Sequence, residues 1–342
     1  MKRTAALLIA LLWCVPAALY ALECSVCGKS LHKRYLRDGN GNFFCSRKCA
    51  DSRLPRCSLC GKALRGRYLQ AQGRNFCSEE CMHQALWPHC SICGKAFHDG
   101  HQLPTPYGDL VFCPECAKLP VCFICRSPVK SGRTLRDGRV YCARCGEGLV
   151  SDPAAAQEVF RAVRALLRSK LNFPDRHPIA LVLTAVPPPQ NSALGEEQEF
   201  GRYIYIGREI YRTPSRMQFW KKRETTVRRE EKSCRIEVLN HLPRVKLAEV
   251  LAHELAHDYM QRRWPYIKDE KLKEGFAEAV AAEYNRLAGH ASWNVRMERN
   301  PDPVYGDGYR MVRDLWRKGG WDAVQQHFDR ANQANLPSEL RR

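Results

Sequence analysis

Two histidines one helical turn apart, with a glutamate beside the first, are the residues best suited to chemistry in this chain: His253-Glu254-Leu255-Ala256-His257. On a helix, positions i and i+4 share a face, so both imidazoles can reach one metal ion while Glu254 reaches a water next to it. Glu274, 17 residues beyond His257 and followed by Gly275, would complete a set of two histidines and one carboxylate. Three protein ligands leave the fourth position of a zinc ion open, which distinguishes a catalytic site from a closed structural one. The chemistry implied is metal-assisted amide hydrolysis through a zinc-activated water. Glu254 would take the proton as general base and deliver it to the leaving amine. Glu278, one turn after Glu274, or else Asp258, would hold the outer nitrogen of a ligating histidine. Tyr305, Tyr309, His290 and His327 are candidates to stabilise the oxyanion.

Helices must carry these groups. The apolar-periodic segment from Val245 to Met260 contains the first motif, and a second helix, about Asp269 to Leu287, contains Glu274. Further back, Asp152-Pro153 reads as a helix cap and first-turn proline, with Val159, Val163, Leu166 and Leu167 forming one apolar face up to about Leu171. Ile179 to Val186, ended by Pro187, Pro188 and Pro189, reads as a strand, as do Tyr203 to Ile206 and Arg235 to Leu239. The charge-dense stretch Lys221 to Lys232 reads as a solvated face. Cys234 is read as a small buried hydrophobe or as a thiolate that caps the catalytic zinc.

Ahead of this half the cysteines form a second pattern. Sixteen of the 18 fall into four units: Cys24, Cys27, Cys45, Cys49; Cys57, Cys60, Cys77, Cys81; Cys90, Cys93, Cys113, Cys116; and Cys122, Cys125, Cys142, Cys145. The starts are 33, 33 and 32 residues apart, which makes them an internal repeat. Four thiolates in two tight pairs match tetrahedral zinc, and cysteines two residues apart bridge each other poorly, so four structural zinc ions are expected rather than disulfides. Gly28, Gly61 and Gly94 follow the first pair and permit a left-handed backbone there. Ser46 and Ser78 suit the start of a short helix carrying the last ligand, and Phe44, Phe76, Phe112 and Tyr141 would pack over each small core. His32, His98 and His101 lie between the pairs as alternative ligands.

The 342 residues have room for two or three units. Met1, Lys2 and Arg3 before the apolar run Ala5 to Leu22 read as an export signal ending at Ala21, or as an uncleaved membrane anchor. The expected organisation is a signal at 1–21, four four-cysteine zinc fingers over 22–150 (24–49, 57–81, 90–116, 122–145) and a peptidase domain over 151–342, exported to a periplasm or secreted. Formal charge is +19. Each zinc held by four thiolates adds −2, so the fingers remove about 8 of that charge, leaving a basic surface near the peptidase suited to an acidic protein. No recognition-helix pattern lies between the cysteines. The expected partners are therefore a protein or peptide substrate and a protein docked on the fingers, not nucleic acid, with membrane contact only through an uncleaved N-terminus.

The sequence resembles the plant DA-one family of growth-regulating peptidases, in which LIM-type zinc fingers precede a gluzincin-like domain. The resemblance rests on Ile236–Arg244 (IEVLNHLPR), Leu251–His257 (LAHELAH), Leu272–Gly275 (LKEG) and Tyr305-Gly306-Asp307-Gly308. The fourth unit, with CFIC and DGRVYCARC, is similar to the second finger of a LIM domain. The resemblance implies an α+β chain: an array of small zinc-ribbon or treble-clef fingers, then a metallopeptidase domain whose active-site helix packs near a small sheet. It assigns His253, His257 and Glu274 to zinc and Glu254 to catalysis. The chain departs from the family in having only cysteines as finger ligands and five residues between Cys116 and Cys122, where a LIM domain has two. It also lacks a ubiquitin-interacting helix, so activation by ubiquitination is not implied.

Overall fold

Each four-cysteine unit places an antiparallel hairpin between its two cysteine pairs. The computed structural model describes residues 22–32, 34–174, 177–185, 200–212 and 226–340, so the N-terminal signal or anchor and the Pro187–Pro189 stop lie outside the described residues. Unit one pairs β1 (Leu36–Arg37) with β2 (Phe43–Phe44) and ends in α1 (Arg47–Ser52). Unit two repeats this with β3 (Leu69–Ala71), β4 (Arg74–Phe76) and α2 (Glu79–Leu86). Unit three has β5 (His101–Thr105), β6 (Gly108–Phe112) and α3 (Pro114–Ala117), and unit four has β7 (Gly132–Thr134) and β8 (Val140–Cys142).

The local causes are those the sequence suggests. The Ser46 and Ser78 hydroxyls accept from the amides of Cys49 and Cys81 and so start α1 and α2. Gly28, Gly61 and Gly94 take φ of 69°, 72° and 76°, and Arg126 occupies the same left-handed position in unit four at 63°. Phe44 and Phe76 are buried in cores of only three residues, with Cys24 and Leu31 in unit one and Cys57 and Leu64 in unit two.

The chain divides into two compact units, Met1–Pro88 with Lys95–His98, and His89–Gly94 with Asp99–Arg342. In the second, the elements after the cysteines are β9 (Leu149–Val150), α4 (Pro153–Leu171), β10 (Ala180–Thr184), β11 (Gly201–Arg212), β12 (Thr226–Leu239), β13 (Leu242–Pro243), α5 (Arg244–Arg263), α6 (Glu270–Leu287), α7 (Val295–Arg299) and α8 (Tyr305–Ala334). The sheet order is β10-β12-β11, with β10 parallel and β11 antiparallel to β12. As the sequence suggests, Asp152 caps α4 by accepting from the Ala155 amide; Asp269 does the same for α6, accepting from the Lys271 and Leu272 amides. α5 runs through the core with Leu247, Leu251, Ala252, Leu255 and Ala256 buried, and α6 contributes Phe276, Ala277, Val280 and Ala281.

The fourth cysteine unit belongs to this same core, although the sequence suggests a boundary at 150. Phe123, Ile124, Val129 and Tyr141 are buried with α4, α5 and α6 residues. Tyr141 donates its hydroxyl to the His241 carbonyl at 3.0 Å, and the buried Arg139 guanidinium donates to the Asn240 carbonyl and Oδ1, each at 2.7 Å. β9, just past the last cysteine, pairs with β13. The Asn-His-Leu-Pro segment that leads into α5 is therefore held by the fourth unit.

α6 and α8 cross at a pair of glycines. A Cβ on Gly275 would stand 2.4 Å from the Gly308 backbone carbon, and one on Gly308 would stand 2.5 Å from the Lys271 carbonyl oxygen. Only glycine at both places permits that approach. The two glycine-bearing motifs, Leu272–Gly275 and Tyr305–Gly308, are thus the two sides of one contact.

Candidate metal centres

α5 puts His253 and His257 on one face, and α6 brings Glu274 to meet them. His253 Nε2 and His257 Nε2 lie 3.1 Å apart, and Glu274 Oε2 lies 3.3 Å from the first and 3.5 Å from the second. Ligands at the usual zinc distances in a tetrahedron are separated by about 3.3 Å. The three donor atoms are thus spaced as three ligands of one zinc-sized tetrahedron would be. Glu278 Oε1 is 3.4 Å from His253 Nδ1, so the outer nitrogen is oriented by Glu278 and not by Asp258, whose Oδ1 is engaged by Tyr203, His177 and Arg262.

The electrostatics fit a cation-binding cluster. Burial opposes ionisation of Glu274, yet hydrogen bonds from His253 and His257 hold its carboxyl well below the usual carboxylate range. Burial likewise disfavours a charged His253, but Glu274 and then Glu278 raise its pKa well above the ordinary imidazole value. Glu254 is buried beside these ligands, and burial pushes its carboxyl upward against the pull of His253 and His257. Gly201 on β11 leaves room for Glu254: a Cβ there would stand 2.6 Å from Val250 Cγ1 and 3.0 Å from Glu254 Oε1.

The four cysteine groups converge as expected, each with its sulfurs within 4.8 Å of one another. Tetrahedral zinc with thiolates at about 2.3 Å requires sulfurs about 3.8 Å apart. The separations are 3.5, 3.6 and 3.8 Å in unit one, 3.5 and 3.6 Å in unit two, 3.9 Å in unit three and 3.7 Å in unit four. The structure therefore carries several four-cysteine clusters that could each hold a zinc-like ion. The first thiol of each unit is drawn down to about 6, at Cys24 chiefly by a backbone amide of Cys45 and at Cys57 by that of Cys60. Cys90 reaches the same value against burial through the amides of Cys113 and Cys93, and Cys122 through hydrogen bonding led by Cys125. The histidines between the pairs have other company: His98 meets the edge of Trp87, and His101 stacks on Phe112.

Of the proposed oxyanion donors, Tyr309 is committed, donating to Glu298 Oε1 at 2.7 Å from a buried position. Sequence reasoning missed Gly201, Tyr203, Tyr107 and His177. Tyr107, at the turn of the unit-three hairpin, places its hydroxyl 3.4 Å from Cys145 Sγ and its ring against Trp293. A glycine opening a strand beside an expected catalytic helix was the one available signal for the Gly201 contact; the others depend on tertiary proximity alone. No family model matches the chain, and no curated protein matches it.

Proposed function

We propose that this chain is an exported zinc metallopeptidase of the DA-one-like, gluzincin-like kind, cleaving protein or peptide amide bonds, with LIM-like four-cysteine fingers as adaptor or regulatory module. The observation that carries the reading is the triangle of His253, His257 and Glu274 donors at 3.1–3.5 Å with buried Glu254 alongside. Zinc held by these three residues supplies an acidified water and a polarised carbonyl. Glu254 supplies the proton traffic. Burial raises its proton affinity above that of an ordinary carboxylate, the direction a general base needs. The space at Gly201 admits that carboxyl beside β11. Among the described residues β11 is the edge of its sheet, and it lies next to Glu254, a position from which an extended, unstructured polypeptide can pair with the strand. No helix among the described residues is long and apolar enough to cross a membrane. Export rests on the N-terminal segment alone.

The test is Glu254→Gln in the full chain. The variant should keep the metal content of the wild type and lose cleavage of an unstructured protein by at least about a hundredfold, the scale of a general base. Equal cleavage by the variant, or none by the metal-loaded wild type, would overturn the assignment.

A further inference from the structure

The spacing that marks the other centres recurs at Asp258. His177, in the segment after α4, Cys234 on β12 and Asp258 on α5 bring one donor atom each within 4.8 Å of one another. Asp258 Oδ1 lies 3.1 Å from His177 Nε2 and 3.8 Å from Cys234 Sγ. A tetrahedral zinc ion separates an oxygen from a nitrogen ligand by about 3.3 Å and from a sulfur ligand by about 3.5 Å. Both edges agree to about 0.3 Å. Cys234 and Asp258 are buried, and the His177 side chain is only 15% exposed, so the donors are already desolvated.

The hydrogen bonding also asks for more than one oxygen can give. Oδ1 of Asp258 accepts from the Tyr203 hydroxyl at 2.9 Å and from Arg262 Nε at 3.1 Å, which uses both of its lone pairs before the imidazole and thiol are counted. Those two remaining groups are zinc's preferred nitrogen and sulfur donors.

We propose that His177, Cys234 and Asp258 form an additional divalent-metal site, selective for zinc or a chemically similar ion, with the Tyr203 hydroxyl next to its fourth position. A thiolate and a carboxylate neutralise a dication. Arg262 keeps Glu231 as counter-ion at 2.8 Å and remains the outer hydrogen-bond donor to the ligating carboxylate. The site is separate from the peptidase cluster: Asp258 directly follows His257, and adjacent helix positions do not face each other. Occupancy would cross-link the segment after α4, β12 and α5, three elements otherwise joined here by hydrogen bonds. The proposal does not depend on peptidase activity.

The test uses the full chain, loaded with excess zinc and freed of unbound metal, with zinc per chain read by elemental analysis. The expected result is one more zinc equivalent in the wild type than in Cys234→Ser or His177→Gln, together with a higher melting temperature for the wild type. Each variant should keep the remaining zinc. The His177 variant, in a partly exposed segment, serves if the buried cysteine does not tolerate change. Equal zinc content in the wild type and both variants would show that the cluster is only a hydrogen-bond network.

Discussion

In the proposed catalytic zinc site, Glu278 would act through His253, setting how well that imidazole serves as a ligand. Its carboxylate faces Nδ1 at 3.4 Å, leaving Nε2 to point at Glu274 and His257. Losing such a partner typically weakens metal binding by about 10- to 100-fold, because the imidazole is left free to rotate and becomes a poorer donor. Glu278→Gln should therefore raise the zinc dissociation constant of the catalytic site by that factor while the four-cysteine sites hold their metal. Competition with a chelating indicator separates the two classes, and an unchanged weak-site affinity would remove Glu278 from the design. Its place was legible in the sequence, since Glu278 lies one turn from Glu274 on the same helix face. Asp258 was a rival in the sequence because adjacency to His257 says nothing about direction, and in three dimensions its carboxylate belongs to Tyr203, His177 and Arg262.

At the scale of elements, what brings Glu274 to the histidines is the depth at which α6 lies, and the glycine crossing with α8 sets that depth. Replacing Gly275 by alanine gains helix propensity of about 1 kcal/mol, but the new Cβ meets backbone at 2.4 Å and not the end of a flexible side chain. Overpacking of this kind costs about 1–3 kcal/mol, so the clash prevails. Gly275→Ala should lower the denaturant midpoint without changing the slope and should also weaken catalytic zinc binding, since Glu274 is the neighbouring residue; a midpoint at or above wild type would mean the helices slide apart freely. α4 was readable because a cap and apolar periodicity coincide at Asp152. The glycine crossing was not, because two short motifs 30 residues apart carry no sign that they touch. Lys221 to Lys232 reads as a solvated face and Arg235 to Leu239 as a strand; Thr226–Leu239 is one longer strand, exposed at Arg228, Glu231, Lys232 and Ser233, the residues before Thr226 lying outside the described ones. Among the described residues, only Arg235–Leu239 has a strand on both sides; the outer part pairs with β11 alone. With Arg228, Glu231, Lys232 and Ser233 all exposed, that part carries no apolar alternation to read.

The whole molecule treats its four similar cysteine units unequally. Val26 in unit one is 42% exposed and Leu59 in unit two 45%, while Ile124, at the same place in the knuckle of unit four, is 2% exposed and lies in the main core. The repeat was evident from spacing, but this difference was not, because the residues that receive unit four, Asn240 and His241, stand about 100 positions later in the chain. The consequence concerns metal removal. Units one and two each bury three core residues, at about 1.5–3 kcal/mol apiece, against an ordering cost of about 1.5 kcal/mol for every residue fixed. Metal must supply the balance. Unit four instead shares the large core and is anchored through Arg139, Tyr141 and the β9–β13 pair. Stripping zinc with a chelator under otherwise native conditions should therefore abolish amide-exchange protection throughout residues 22–88, while Ile124, Tyr141 and α5 keep most of theirs. Exchange followed by mass spectrometry resolves these segments, and simultaneous loss of protection in all of them would mean that the fourth unit depends on its metal as fully as the first two.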